Sequence, residues 1–280
     1  MNYILAVSGG IDSVVLLDLM ARTQKRIIVA HFDHGIRGDS AADARFVEAL
    51  ATVRYGAVCI RKREELGVDA SEELARERRY SFLCSVAAEY KGVIVTAHHR
   101  DDIIETIAMN LQRGTRWRGV AGMSAGHILR PLNNWTKQQI YMYAVQHALE
   151  WCEDETNNSS RYARNVIRQR VRDALSEEEK AAIYTLWRKQ RAVRRDIERE
   201  LWRFEGRALN RYFLAGIEEA IAMELVYEYV LRHTNVSLLT SQLERVLVAI
   251  KTGRPGTTWQ IGGGVVMKLT ARGGIIDGVD

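Results

Sequence analysis

A chain of 280 residues with 40 Lys+Arg against 35 Asp+Glu, net +5, is long enough for one large core or two modest ones and basic enough to meet a polyanion. Its three cysteines, Cys59, Cys84 and Cys152, are far apart and odd in number, which excludes a disulfide framework and a Cys-x-x-Cys metal site. No apolar run approaches the ~18 residues of a membrane span, and the first strand starts by residue 3, so a cytoplasmic protein without a leader is expected.

In chain order, Tyr3 to Val7 reads as a strand and Val14 to Met20 as an apolar helix. The β-branched runs Ile27 to Ala30, Ala57 to Ile60 and Val93 to Thr96 read as buried parallel strands. Between them Ser40 to Val53, Ser71 to Tyr90 and Asp101 to Leu111 carry apolar residues at helical spacing. This alternation predicts a doubly wound, mostly parallel α/β sheet with ligands at the carboxyl ends of its strands. Thr136 is expected to cap a helix over Lys137 to Leu149. From Arg161 to Arg211 stand 15 Lys+Arg against 8 Asp+Glu, a larger surplus than that of the whole chain. There Ile183, Leu186, Val193, Ile197, Leu201, Phe204 and Ala208 recur at helical spacing, so a long amphipathic helix with charges outward is expected, with Trp187 and Trp202 in the core. A solvated helix held by i,i+4 pairs is the alternative to a polyanion-binding face. Ile217 to Arg232 and Ser241 to Lys251 read as helices, and Thr257 to Ile261 with Val265 to Leu269 as a hairpin around Gly262-Gly263-Gly264. A boundary near Leu175 to Glu179 separates domain 1–176 from a mainly helical domain 177–280.

The polar clusters gather at strand ends. Ser8-Gly9-Gly10-Ile11-Asp12-Ser13 joins the first strand to the first helix. Paired glycines let backbone N–H groups approach an anion, and the helix N-terminus adds about half a positive charge. Asp12 in such a place suits a magnesium ion or an oriented nucleotide. An ordinary strand-to-helix turn uses the same residue types. The pattern resembles the PP-loop of ATP pyrophosphatases, which cleave ATP to AMP and pyrophosphate. The second strand runs into His31-Phe32-Asp33-His34-Gly35, and another into His98-His99-Arg100-Asp101-Asp102. Asp102 and Glu105, three apart, share a helix face that can neutralise a phosphate-bound metal or hold a cationic second substrate such as an amine, although acids in a first turn often serve only the helix dipole.

Further segments carry a denser resemblance. Asp33-His34-Gly35-Ile36-Arg37, Ala75 to Tyr80, Ala97-His98-His99-Arg100-Asp101-Asp102-Ile103-Ile104-Glu105-Thr106, Arg113-Gly114, Gly122-Met123, Arg130-Pro131-Leu132, and Asp154 to Asn157 through Arg164-Asn165-Val166-Ile167-Arg168 follow the phosphate loop in the order seen in tRNA(Ile)-lysidine synthases. The likeness spans residues 3 to 172, and the tail after Pro255 is similar to that family's compact end. It implies adenylation of the wobble cytidine of the isoleucine tRNA with a CAU anticodon, then displacement of AMP by the ε-amine of free lysine, with ATP and Mg²⁺ as cofactors and tRNA as partner. By that resemblance Ser8, Gly9, Gly10, Ile11, Asp12 and Ser13 hold ATP, Asp33 reaches the adenosine, Asp102, Glu105 and His98 hold lysine, and Arg164 and Arg168 stand near the reacting phosphate or the tRNA backbone. Asp12, Asp102, Glu105 and Arg168 are the implied catalytic set, and Arg188, Arg191 and Arg195 the candidate tRNA-binding residues on the basic helix. Ile103 stands where many members have glutamine, and Asn133-Asn134-Trp135 has no counterpart in the pattern. A PP-loop tRNA thiolase and a non-catalytic RNA-binding protein are the rival readings, and the oligomeric state is open, a homodimer being one option.

Overall fold

Five short strands form the first sheet: β1 (Asn2–Ala6), β2 (Arg26–Asp33), β3 (Val58–Arg63), β4 (Gly92–Val95) and β5 (Ile128–Leu129). The computed structural model describes residues 1–23, 25–35, 40–67, 71–113, 117–121, 128–153, 171, 173–202 and 208–276. All five strands run parallel in the order β3-β2-β1-β4-β5. The connections are α1 (Ile11–Ala21), α2 (Ser40–Ala49) with a π-helical turn over Leu50–Arg54, α3 (Glu72–Glu89), α4 (Arg100–Gln112) and α5 (Trp117–Val120); α6 (Lys137–Gln146) follows β5.

The strands β1, β2 and β4 are covered on both faces because β-branched and aliphatic side chains fill both sides of them, whereas β3, expected as a buried strand, is an edge strand whose Val58, Arg61, Lys62 and Arg63 are exposed. On β1, Ile4 packs with Ile28, Ile94, Phe82, Leu83 and Val86, so α3 covers that face. The next residue, Leu5, joins Val29, Val95, Val14, Leu17 and Ile140, so α1 and α6 cover the other. The doubly wound expectation holds. Chain order reverses between β1 and β4, and the crevice outside the carboxyl ends of those two strands is where such sheets bind ligands. The loops that leave them are Val7–Gly10 and Thr96–His99.

The chain divides into two compact units, Met1–Gln190 and Arg191–Asp280, and the division falls inside α7 (Glu177–Trp202). The second unit holds β6 (Leu209–Asn210), α8 (Arg211–Gly216), α9 (Glu219–Thr234), α10 (Thr240–Thr252), β7 (Thr258–Gly262), β8 (Val265–Leu269) and β9 (Gly273–Ile276). Its core is built from Leu214, Val226, Val230, Leu247, Ile250 and Met267. The expected hairpin is β7–β8, and β9 and β6 extend it into an antiparallel sheet of order β6-β9-β8-β7. Along α7 the packed stripe is narrower than its hydrophobic spacing suggests. Ile183 and Trp187 pack with Ile103 and Ile107, and Ile197 joins the second core, whereas Leu186 and Val193 are about half exposed. Among the described residues no helix is long and apolar enough to cross a membrane.

Candidate active site

The turn from β1 into α1 is organised from within. Ser13, buried in the first turn of α1, donates its hydroxyl to the Gly10 carbonyl at 2.8 Å and accepts from the amides of Ser8 and Gly9, each at 3.2 Å. Its hydroxyl therefore shapes the loop, and the exposed Ser8, 3.3 Å from it, is the serine facing outward. Gly10 occupies the N-cap position with no side-chain cap, so the helix start is left for an external acceptor. Gly9 sits at φ +98°, a conformation that L side chains rarely adopt. A Cβ there would meet Cys152 Sγ at 3.3 Å and Val47 Cγ2 at 3.4 Å, so a substitution brings strain and tight packing besides any block it sets in the path of an anion.

A line of charged groups extends from this loop. Asp12 Oδ1 accepts from Lys137 Nζ at 2.5 Å and lies 3.9 Å from His99 Nε2. His99 is buried at the N-cap of α4, where its Nδ1 accepts from the Asp101 amide at 3.3 Å. Its Nε2 faces Asp102 Oδ2 at 3.5 Å as well as Asp12, and its Nδ1 lies 3.6 Å from Asp101 Oδ2. Asp102 in turn accepts from the His99 amide at 3.0 Å, closing a capping box. Asp102 and Glu105 are both buried on α4, and burying two carboxylates in an otherwise apolar helix face is costly unless charge or hydrogen bonds compensate. His98 is half-buried, with Nδ1 2.7 Å from Thr96 Oγ1.

The start of α6 is bound to the same place. Lys137 N–H donates to Asp101 Oδ2 at 3.0 Å, Trp135 O accepts from the Arg100 amide at 2.9 Å, and Thr136 with Gln139 forms a reciprocal cap. Farther along, α6 is fastened to α1: Asp18, buried in the middle of α1, accepts from Tyr143 Oη at 2.7 Å, Tyr55 Oη at 2.8 Å and Arg22 Nε at 2.7 Å, while Arg22 also lies 3.3 Å from His147 Nδ1. Burial pushes the Asp18 carboxyl up, but the bonds from Arg22, Tyr143 and Tyr55 outweigh it and hold it below the usual carboxylate range. Tyr143 is pushed up to about 12, by burial first and then by the Asp18 charge.

At the end of β2, His31 is buried and its Nδ1 can only donate to Val7 O, 2.9 Å away, which ties β2 to the entrance of the loop. Asp33 is buried too: Oδ1 accepts from the Gly35 amide at 2.9 Å and Oδ2 faces Arg63 Nε at 3.7 Å, so the carboxylate shapes its own turn. Burial and then Arg79 lower the pKa of His34 and keep its ring neutral at pH 7. The expectations on Ile36-Arg37, Gly114, Gly122-Met123, Asp154 to Asn157, Arg164 to Arg168 and Phe204, and on the side chains of Leu201 and Trp202, lie outside what is described. On α7, Arg188 and Arg195 are exposed and Arg191 is half-buried, while neighbouring Arg194 pairs with Glu198 at 2.9 Å and Arg199 with Asp196 at 3.2 Å. The cysteines stand apart, on β3 (Cys59), on α3 (Cys84) and beside Gly9 (Cys152).

Residues 1–175 match the PP-loop domain family. The chain belongs to the PP-loop family. Its curated relatives include the tRNA(Ile)-lysidine synthase of Exiguobacterium sibiricum, 39% identical over 181 residues, covering 62% of this chain and 43% of that protein. The tRNA(Ile)-lysidine synthase of Thermosipho africanus is 31% identical over 263 residues, covering 87% of this chain and 61% of that one. The chain thus spans roughly half the length of the curated relatives it matches. Among solved structures, the U34-tRNA thiolase NcsA from Methanococcus maripaludis with its [4Fe-4S] cluster superposes with a TM-score of 0.56 at 18% identity, over 69% of this chain and 71% of that one, a likeness of fold. Lys137 and Asp18, which make the bonds that join α1 to α6, were not singled out by their sequence pattern.

Proposed function

We propose that this PP-loop protein is a cytoplasmic tRNA(Ile)-lysidine synthase that uses ATP to adenylate the wobble cytidine of the CAU-anticodon isoleucine tRNA and then joins free lysine to it. The observation that carries the reading is the joining of an open phosphate loop to a buried acidic pair by one histidine. His99 Nε2 lies 3.9 Å from Asp12 and 3.5 Å from Asp102, and Glu105 is buried on the same helix as Asp102. The names of the relatives agree with it.

In this reading the loop Ser8–Ser13, with the uncapped N-terminus of α1 and the outward-facing Ser8, takes the phosphates of ATP, and Asp33, at the end of β2, borders the adenosine. Asp12 is the hard oxygen donor nearest the loop, and Mg²⁺ is commonly held by one or two carboxylates together with substrate phosphates. Bound there, it would offset phosphate charge. A cytosine carbonyl is a poor electrophile, and adenylation of its oxygen makes AMP the leaving group. Lysine is selected as a cation, gives up an ε-ammonium proton to solvent or a carboxylate, and as the free amine attacks the activated carbon as the C–O bond to AMP breaks, a task of proximity. The buried pair Asp102 and Glu105 is suited to it, and His98 is assigned to the same site. Arg164 and Arg168 are assigned to the reacting phosphate and the tRNA backbone, and Arg188, Arg191 and Arg195, with the segment 177–280, to the tRNA body.

The test is ATP-dependent transfer of radiolabelled lysine into isoleucine tRNA with release of pyrophosphate. Wild-type protein should label that tRNA and not a methionine tRNA with the same anticodon, and Asp12→Ala should abolish both products. Pyrophosphate release with no lysine incorporated would refute the assignment.

A further inference from the structure

We propose that Lys137 is a phosphate-binding residue of the nucleotide site, held on Asp12 until a nucleotide arrives. The inference rests on the reading of the Ser8–Gly10 loop as an ATP site and deepens it. The ammonium of Lys137 is 2.5 Å from Asp12 Oδ1, and Asp12 stands in the first turn of α1, two residues beyond the N-cap Gly10, so the ammonium already lies at the mouth where phosphates would enter. The pair is open to water: the two side chains are 52% and 32% exposed. Such ion pairs are weak and cheap to break. A triphosphate offers several negative charges against the single charge of Asp12, and the long lysine stem lets the ammonium swing to it without moving its helix.

The helix, by contrast, does not swing. The Lys137 amide is bonded to Asp101, Thr136 and Gln139 cap the turn, Trp135 O is bonded to the Arg100 amide, and Tyr143 is bonded to Asp18 inside α1. The ammonium is therefore delivered from a fixed backbone point shared by α1, α4 and α6. When it leaves, the imidazole Nε2 of His99 still stands 3.9 Å from Asp12 Oδ1. Asp12 itself brings negative charge to the start of α1, and Lys137 supplies positive charge there from outside the glycine loop.

The experiment compares equilibrium affinities for ATP and for adenosine, which lacks the phosphates, in the full chain, in Lys137→Gln and in Lys137→Arg. Lys137→Gln should raise the Kd for ATP by roughly tenfold or more, the worth of one charge-assisted hydrogen bond, while the Kd for adenosine moves by less than about twofold. Lys137→Arg should recover most of the loss. Equal weakening of ATP and adenosine would show that Lys137 only supports the fold of the site, and an unchanged or tighter Kd for ATP would show that it serves Asp12 alone; either result overturns the proposal. Failure of the wild-type chain to bind ATP would instead refute the reading on which it rests.

Discussion

Replacing Asp18 by asparagine tests whether the buried carboxylate of α1 is held as a charge. In the folded chain Oδ2 accepts from Arg22 Nε at 2.7 Å and Tyr143 Oη at 2.7 Å, while Oδ1 accepts from Tyr55 Oη at 2.8 Å and Arg22 Nη2 at 3.4 Å. An asparagine keeps the shape and can still satisfy both tyrosines, because a hydroxyl accepts as readily as it donates. What it loses is the charge facing Arg22. That arginine is about half exposed, so its share is discounted for solvent screening, and one charge-assisted bond made at a buried acceptor sets the scale at about 1.5–2 kcal/mol. For a unit of this size that corresponds to a fall in Tm of roughly 3–8 °C at pH 7. The pH dependence follows from the direction of the shift: the folded pKa of Asp18 is lowered, so its contribution is present above the unfolded value near 4 and is lost as pH falls through the lower folded value. Thermal unfolding of wild type and Asp18→Asn, followed by circular dichroism from pH 7 to about pH 2.5, should show two curves that converge in acid. Curves that stay parallel across this range, or coincide at pH 7, would refute the argument.

Gly9→Val should lose about 1–3 kcal/mol of stability from strain at φ +98° and crowding against Cys152 and Val47, visible as a lower Tm even without nucleotide; an unchanged Tm with lost ATP binding would leave only the blocked-anion explanation. Glu105→Gln should weaken apparent lysine affinity by roughly tenfold or more while tRNA adenylation persists, and lost adenylation with unchanged lysine dependence would make the acidic pair a metal site. Charge removal at the exposed Arg188 and Arg195 should flatten the dependence of log Kd for tRNA on log salt by about one unit for each phosphate no longer neutralised, whereas an unaltered slope would return α7 to an ordinary solvated helix.

The first sheet was legible because β1, β2 and β4 are rich in Ile, Val, Leu and Ala and bounded by polar clusters, and those clusters mark the candidate site. What escaped did so for identifiable reasons. β5 and β6 are two residues each, too short to show a period, and β9 begins with Gly273-Gly274, residues that read as a turn. The π-helical turn at Leu50–Arg54 continues a helical pattern of side chains, and only the backbone distinguishes it. On α7, spacing predicted a wide stripe, yet Leu186 and Val193 are left outside because Ile183, Trp187 and Ile197 carry the packing. Lys137 follows a capping threonine and so reads as an ordinary exposed charge. Asp18 did leave a trace: a lone carboxylate inside Val14-Val15-Leu16-Leu17-Asp18-Leu19-Met20 can be buried only with partners, and those partners are Tyr55, Arg22 and Tyr143.

The pairings between α1 and α6 share an arithmetic. Asp12 meets Lys137, Asp18 meets Tyr143 and Arg22 meets His147, each across 125 positions of sequence. Two helices that keep one offset from end to end behave like a ruler laid along an edge. The loops in the long stretch between them can gain or lose residues without changing the spacing within either helix, but a single deletion inside α6, between Lys137 and Tyr143, would turn one end against the other by about 100°, the step of one helical residue. Either the ammonium would miss Asp12 or the tyrosine would miss Asp18. Length variation is therefore costly within α1 and α6, whose spacing the three pairs share.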